Sequence, residues 1–299
     1  MVFSTPVFMF YFLALTLLVY YVVPRKLRNV VLLISSLFFY YWGEREYVAI
    51  MFVSTAIDYS HGLIVERCKE RGNDKGARMA VTSSIIFNLG LLFFFGLCGM
   101  IFGSVSAIWE KDIRRMIAFS SVAQIGYIYM GIGLGIEQGY VAAVYHILHH
   151  AATKALLFIS VVGLSNVSGG SKQFPDLRGA GYRHGSAGVA FTVGSFSMVG
   201  LPMFSGFISK YLFATAAMSA SPKKVFLTLI VLAVSTILNA IYFIHTVVTI
   251  YTPAEESEAK QQRRHWHEKP WVTISLVIFI GLNFVLGIFS QPVVDLITS

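Results

Sequence analysis

Charge is the scarcest ingredient of this 299-residue sequence: Asp, Glu, Lys and Arg make up 13% of it, against 56% for hydrophobic residues. A soluble domain ordinarily carries about 25% charge, so a polar-coated globule is excluded. Cysteine is nearly missing as well. The two present, Cys68 and Cys98, have no metal-ligand spacing, and neither a disulfide framework nor a metal site is expected from them. No nucleotide, flavin or metal motif is visible, so no cofactor is expected, and any redox chemistry would belong to partner subunits. The period-two alternation of a membrane β-barrel is missing too. No basic stretch precedes the first apolar run and no small-residue cleavage site follows it, so that run reads as a retained anchor and not a removed signal peptide.

What is present is a series of long runs almost without charge, at about 6–24, 29–43, 47–65, 79–109, 116–136, 138–171, 187–219, 225–252 and 271–294. Most reach the ~20 residues that a helix needs to cross a ~30 Å hydrocarbon core. Backbone groups in lipid must be paired within the segment, so the runs read as helices. The expectation is an all-α, multi-pass integral membrane protein of about nine spans, located in the inner (plasma) membrane and solvated by the lipid bilayer. The net charge of +8 then marks cytoplasmic loops, and no nucleic acid partner is expected.

The basic clusters give a topology. Those at 25–28 and 67–78 follow the first and third runs, which puts the N-terminus outside. Those at 111–115, 172–183 and 260–269 are each separated by two runs, and all three fit one side. The two sets collide at 79–109, whose ends would both be cytoplasmic. As helix this run extends ~46 Å, too long for one comfortable crossing and too short for two. Either it is a tilted single span, or it re-enters through a bend near Gly96 and Gly99. The reading adopted is a seam between two modules near residues 93–100.

The chemistry concentrates after the seam. Only two of the 23 Lys and Arg, Lys154 and Lys210, lie inside runs, although an ammonium at mid-bilayer costs ~2.5–3.5 kcal/mol. Such a residue is tolerated where it faces a polar interior. His146, His150 and Lys154 are spaced by four, which lines them along one helix face about 12 Å long. Imidazoles give and take protons near neutral pH, and this stripe has the composition of a proton relay; the competing reading is histidines bonding neighbouring helices, which is preferred for His149 and His245. Gly200, Pro202 and Gly206 should break the helix that carries Lys210, releasing backbone groups into a polar cavity. Ser120, Ser121 and Gln124 either line the path or bond an adjacent helix. Asp58 is the one acid placed inside a run, and the nearby His61 reads as its local polar contact.

Two resemblances organise these residues. MVFS, PRKLRN, SLFFYYWGE and DYSHG, in that order, resemble the start of a membrane-bound O-acyltransferase of the alginate-acetylating type and cover about 1–95. That family's catalytic histidine belongs to a downstream part not matched here, so the resemblance implies ancestry and not activity. KDIRRMIAFSSVAQIGYIYMGIGLG, AAVYHILHHAATKALLF, DLRGAGYR and SMVGLPMFSGFISKYLF resemble the C-terminal half of the antiporter-like subunits of Mrp cation/proton antiporters and complex I, and cover 96–299. This second likeness implies proton translocation, with His146, His150 and Lys154 as a central relay and Lys210 beyond it near the exit. It also implies other membrane subunits of an antiporter or redox complex as partners. The input half of that family's path, with an essential glutamate, is not matched. No catalytic residue is assigned. The rival expectations are an O-acyltransferase and a non-transporting fusion or remnant of the two families.

Overall fold

The computed structural model describes residues 12–24, 27–43, 45–253 and 270–298. The opening MVFS string, Arg25, Lys26 and the basic cluster at 260–269 lie outside the described residues. The apolar runs become helices: α1 (Leu13–Val22), α2 (Arg28–Gly43), α3 (Arg45–Glu70), α4 (Asp74–Trp109), α5 (Ile113–Gly133), α6 (Glu137–Asn166), α7 (Ala180–Arg183), α8 (Gly185–Val199), α9 (Ser205–Met218), α10 (Pro222–Tyr251), α11 (Pro270–Ile288) and α12 (Ser290–Thr298). Among the described residues strand-like pairing is confined to one backbone bridge between Asp112 and Gln173. Five of these helices, α4, α5, α6, α10 and α11, are long and apolar enough to cross a membrane alone. The chain is an all-α, multi-pass membrane protein.

The run at 79–109 is one unbroken helix. α4 has 36 residues and extends about 54 Å, so the re-entrant bend is not formed. Gly96 and Gly99 have another use. A Cβ on Gly96 would overlap the Met130 backbone, one on Gly103 would overlap the Ala123 backbone, and one on Gly126 would lie 2.6 Å from Gly96 O. Small residues at these positions let α4 and α5 approach backbone to backbone, the usual device of packing inside lipid.

The chain divides into two compact units, residues 1–88 and 89–299. In the first, Asp58 on α3 accepts from Ser84 Oγ at 2.6 Å and Asn88 Nδ2 at 2.7 Å on α4. His61 contacts the Ile57 carbonyl at 2.8 Å and Ser83 Oγ at 3.2 Å. These polar pairs join α3 to α4.

In the second unit α6 is central. It packs against α5, α8, α9 and α11 and is mostly buried. The loops at one end are tied together: Ile113 N donates to Lys172 O at 3.0 Å and Phe174 N to Lys111 O at 3.2 Å. Two of the basic clusters, 111–115 and 172–183, therefore share one end of the unit, as positive-inside topology requires. At the other end Lys224 Nζ donates to Gly133 O at 2.9 Å and Leu134 O at 3.2 Å, capping α5. Outward-facing Ile230, Ile237, Ile241 and Val248 of α10 are exposed, the pattern expected of a lipid-facing helix.

The run at 187–219 is two helices. α8 ends at Val199 and α9 begins at Ser205, so the break expected from Gly200 and Pro202 is there. Gly200 adopts φ +90°, with Leu201 N bonded to Phe196 O and Gly200 N to Ser197 O, both at 3.0 Å. This is a Schellman ending, which glycine favours because a Cβ strains the left-handed conformation. Gly206 is required for another reason: a Cβ there would collide with Ser197 O.

Candidate functional site

The Schellman ending leaves the carbonyls of Met198 and Val199 without helical partners. Lys210, one and a half turns into α9, supplies its ammonium to both, at 3.2 Å and 2.5 Å. A cation at a helix C-terminus is favoured by the aligned peptide dipoles. The half-helix thus creates a polar site inside the apolar interior, and the lysine fills it.

Lys154 sits elsewhere on the same core, 7% exposed. Its Nζ donates to Ile117 O on α5 at 2.7 Å and also to Ser120 Oγ. One turn along α6 is His150, half-buried, whose Nδ1 has no hydrogen-bond partner among the described residues. One further turn along is His146. The two imidazoles are nearly parallel, 12° apart, with centroids at 6.2 Å, close to the ~6 Å rise of a four-residue step along an α-helix. His146 Nδ1 contacts Ser209 Oγ on α9 at 2.7 Å, and its ring stacks on Tyr127 at 5.3 Å. Its Nε2 faces the Gln124 backbone without a hydrogen bond of normal geometry.

His146 thus bonds α9 at Ser209, the residue before Lys210, while the Lys210 ammonium itself is held by the end of α8. Chain order had put Lys210 after Lys154; packing of α9 on α6 brings it to the His146 end instead.

Ser120 is part of this site, as Lys154's acceptor. Ser121 bonds back to its own helix, at 3.3 Å from Ile117 O, and is not brought to the lysine. Gln124 is buried with neither amide atom paired among the described residues. His149 binds α9: its Nδ1 lies 2.8 Å from Ser205 Oγ and 3.2 Å from Thr153 Oγ1. Thr153 and Ser205 both donate to Asn283 Oδ1, at 2.7 and 3.2 Å, and Ser205 also meets Ser197 at 3.2 Å. This knot fixes the start of α9 against α6 and α11. Sequence reasoning did not find Thr153, Ser205 or Asn283; the signal available was an asparagine alone in the apolar 270–288 stretch. His245 makes an edge contact with Phe174 at 5.9 Å, away from the track.

Such an arrangement can do one kind of chemistry. Two amines, each held by neutral oxygen acceptors and no carboxylate, bracket two stacked imidazoles. Amines and imidazoles are groups that can gain and lose a proton.

Comparison with known proteins agrees with the geometry. Residues 77–238 match the family model described as NADH:quinone oxidoreductase/Mrp antiporter, transmembrane. The NADH-quinone oxidoreductase subunit N of Desulforudis audaxviator (strain MP104C) is 32% identical over 206 residues, which is 66% of this chain and 40% of that protein. A Na(+)/H(+) antiporter subunit of Alkalihalophilus pseudofirmus is 31% identical over 224 residues, 67% of this chain and 27% of that one. The chain therefore spans less than half the length of these relatives. In fold it resembles a chain of the Mrp complex from Dietzia sp. DQ12-45-1b, with a TM-score of 0.61 at 21% identity over 74% of this chain and 50% of the other. The family match takes in just over half of the sequence and contains both lysines, both stacked histidines and the helix break; the chain belongs to the NADH:quinone oxidoreductase/Mrp antiporter transmembrane family.

Proposed function

We propose that this chain carries protons through the membrane interior, as a subunit of a cation/proton antiporter or of an NADH-quinone oxidoreductase-like complex in the inner (plasma) membrane. The observation that supports this is the buried line of proton-exchanging groups from Lys154 through His150 and His146 to Lys210. In that line the Lys154 amine donates to one carbonyl and one hydroxyl and the Lys210 amine to two carbonyls, with no carboxylate partner among the described residues. A permanent structural cation gains from a carboxylate partner in low dielectric; an amine that must lose its proton does better without one.

The test is direct. The full chain is reconstituted in liposomes enclosing a pH-sensitive dye, and an imposed membrane potential drives proton entry. The proposal expects acidification above that of protein-free liposomes, and acidification equal to that background rejects it. Dependence on an opposing Na⁺ gradient assigns the antiporter role; quinone-dependent flux on adding redox subunits assigns the other.

Our domain reading is 1–95 as acyltransferase-like spans and 96–299 as the antiporter-like module. It rests on the ordered strings in the sequence. Transfer of an acyl group by the purified chain would favour the acyltransferase reading over transport, and turnover surviving in residues 1–95 alone would place it there.

A further inference from the structure

Lys154 has a second side. Beyond Ser120 lies a group of buried polar side chains, on α4, α5 and α10, that the line to Lys210 does not use. Tyr242 Oη donates to Asn239 Oδ1 at 2.5 Å, and the same hydroxyl faces Ser104 and Ser120. Ser104 Oγ has three acceptors within reach: Met100 O at 2.7 Å, Asn239 Oδ1 at 3.2 Å and Ser235 Oγ at 3.4 Å. Ser104, Ser235 and Asn239 are completely buried and Tyr242 nearly so.

Two features set this group apart from ordinary helix-bonding polar residues. The first is its pattern. Thr228, Ser235, Asn239 and Tyr242 are all buried, at spacings of seven, four and three that trace one face of α10. The stripe is about 21 Å long and leads from the Ser120 hydroxyl toward the end where Lys224 caps α5. The second is its surplus of unpaired groups. Asn239 Nδ2, Thr228 Oγ1 and both Gln124 amide atoms have no partner among the described residues. Tyr127 Oη faces Ser235 and Thr236 without a hydrogen bond of normal geometry. Buried polar atoms are nearly always satisfied, by protein or by ordered water. A seam whose hydroxyls have more acceptors than hydrogens, beside idle amide donors, can reorient without breaking its network.

We propose that the α10 stripe is a second arm of the proton path, which connects Lys154 through Ser120 and Tyr242 to Ser104 and Ser235, on the side away from Lys210. This rests on the proton-conducting reading above. In each transfer a hydroxyl takes one proton on its oxygen and releases its own to the next, so Ser120, Tyr242, Ser104 and Ser235 end neutral, the Lys154 ammonium becomes a neutral amine, and the proton it gives up passes beyond Ser235 to water at the end where Lys224 caps α5. Asn239 does not carry the proton; its Oδ1 aligns Tyr242 and Ser104, which makes it a positioning residue. Tyr127 bridges the two arms, since it stacks on His146 and faces Ser235.

The experiment uses the full chain with ¹⁵N-labelled lysine in nanodiscs, where the Lys154 amine is titrated by nitrogen NMR, alongside flux in liposomes. Tyr242→Phe removes one hydroxyl and keeps the ring against Phe243. It should move the Lys154 midpoint by about one pH unit or more and cut flux by about a hundredfold. Asn239→Leu should do the same and Asn239→Gln, which keeps a neutral amide oxygen as acceptor, should restore both. Thr246→Val, at the far side of Tyr242, should change neither. An unmoved midpoint in Tyr242→Phe and Asn239→Leu overturns the arm, whatever the flux. A moved midpoint in a protein that conducts nothing upholds the coupling of the stripe to Lys154 and overturns the transport reading instead.

Discussion

Three lysines in the second unit reach buried carbonyls, and they do not all do so for one reason. Lys210 and Lys224 each cap the C-terminus of a helix, α8 and α5 respectively, and Lys224 also lies 5.3 Å from the Phe93 ring. Lys154 reaches mid-helix oxygens and caps nothing. Capping contributes about 0.3–2 kcal/mol. Lys224→Met should therefore lower thermal stability in detergent by about 1 kcal/mol and leave proton flux intact. Lys210→Met should lose a similar stability together with the flux. Equal flux in the two variants would mean that Lys210 is a cap and nothing more. At Gly206, where Ser197 O occupies the Cβ position, Gly206→Ala should cost about 1–3 kcal/mol, read as an earlier unfolding midpoint.

At the scale of elements, the break between α8 and α9 was legible because glycine and proline close together leave a helix few ways to continue. The histidine–lysine stripe was legible because a four-residue period fixes one face. The same glycine logic left α4 open between a tilted span and a bend near Gly96 and Gly99, because glycine serves both for turning and for close approach, and only the partner helix decides between them. Here α5 supplies that partner, with Gly126 against Gly96. Gly103→Val should drive α4 off Ala123 and destabilise the protein by about 1–3 kcal/mol, while a valine at Gly90, which has open space around it, should be tolerated. The knot of Thr153, Ser205 and Asn283 was not legible, since its members come from three helices and only tertiary packing brings them together.

For the whole molecule, an unbroken α4 has a consequence for topology. The basic residues at 67–78 and at 111–115 stand at the two ends of α4 in sequence, and if α4 crosses as one span, one set breaks the rule that positive loops stay inside. Thiols placed at Asp74→Cys and Lys111→Cys, with the native cysteines replaced, should be labelled by an impermeant reagent from opposite sides of oriented vesicles. Labelling of both from one side would restore the hairpin. The sequence reading gives about nine spans; among the described residues five helices are long and apolar enough to cross alone, and shorter apolar helices accompany them. The spatial order of the lysines was equally beyond reach of a linear reading, because it depends on α9 folding back along α6.

The proposed conduction depends on Lys154 and Lys210 acting in one path. Proton entry into liposomes under an imposed potential, measured side by side for the unmodified chain, Lys154→Ala and Lys210→Ala, addresses that dependence most directly. Flux that falls to the protein-free background in both variants, with each still folded in detergent, is the predicted result. Flux that persists unchanged in both would contradict it.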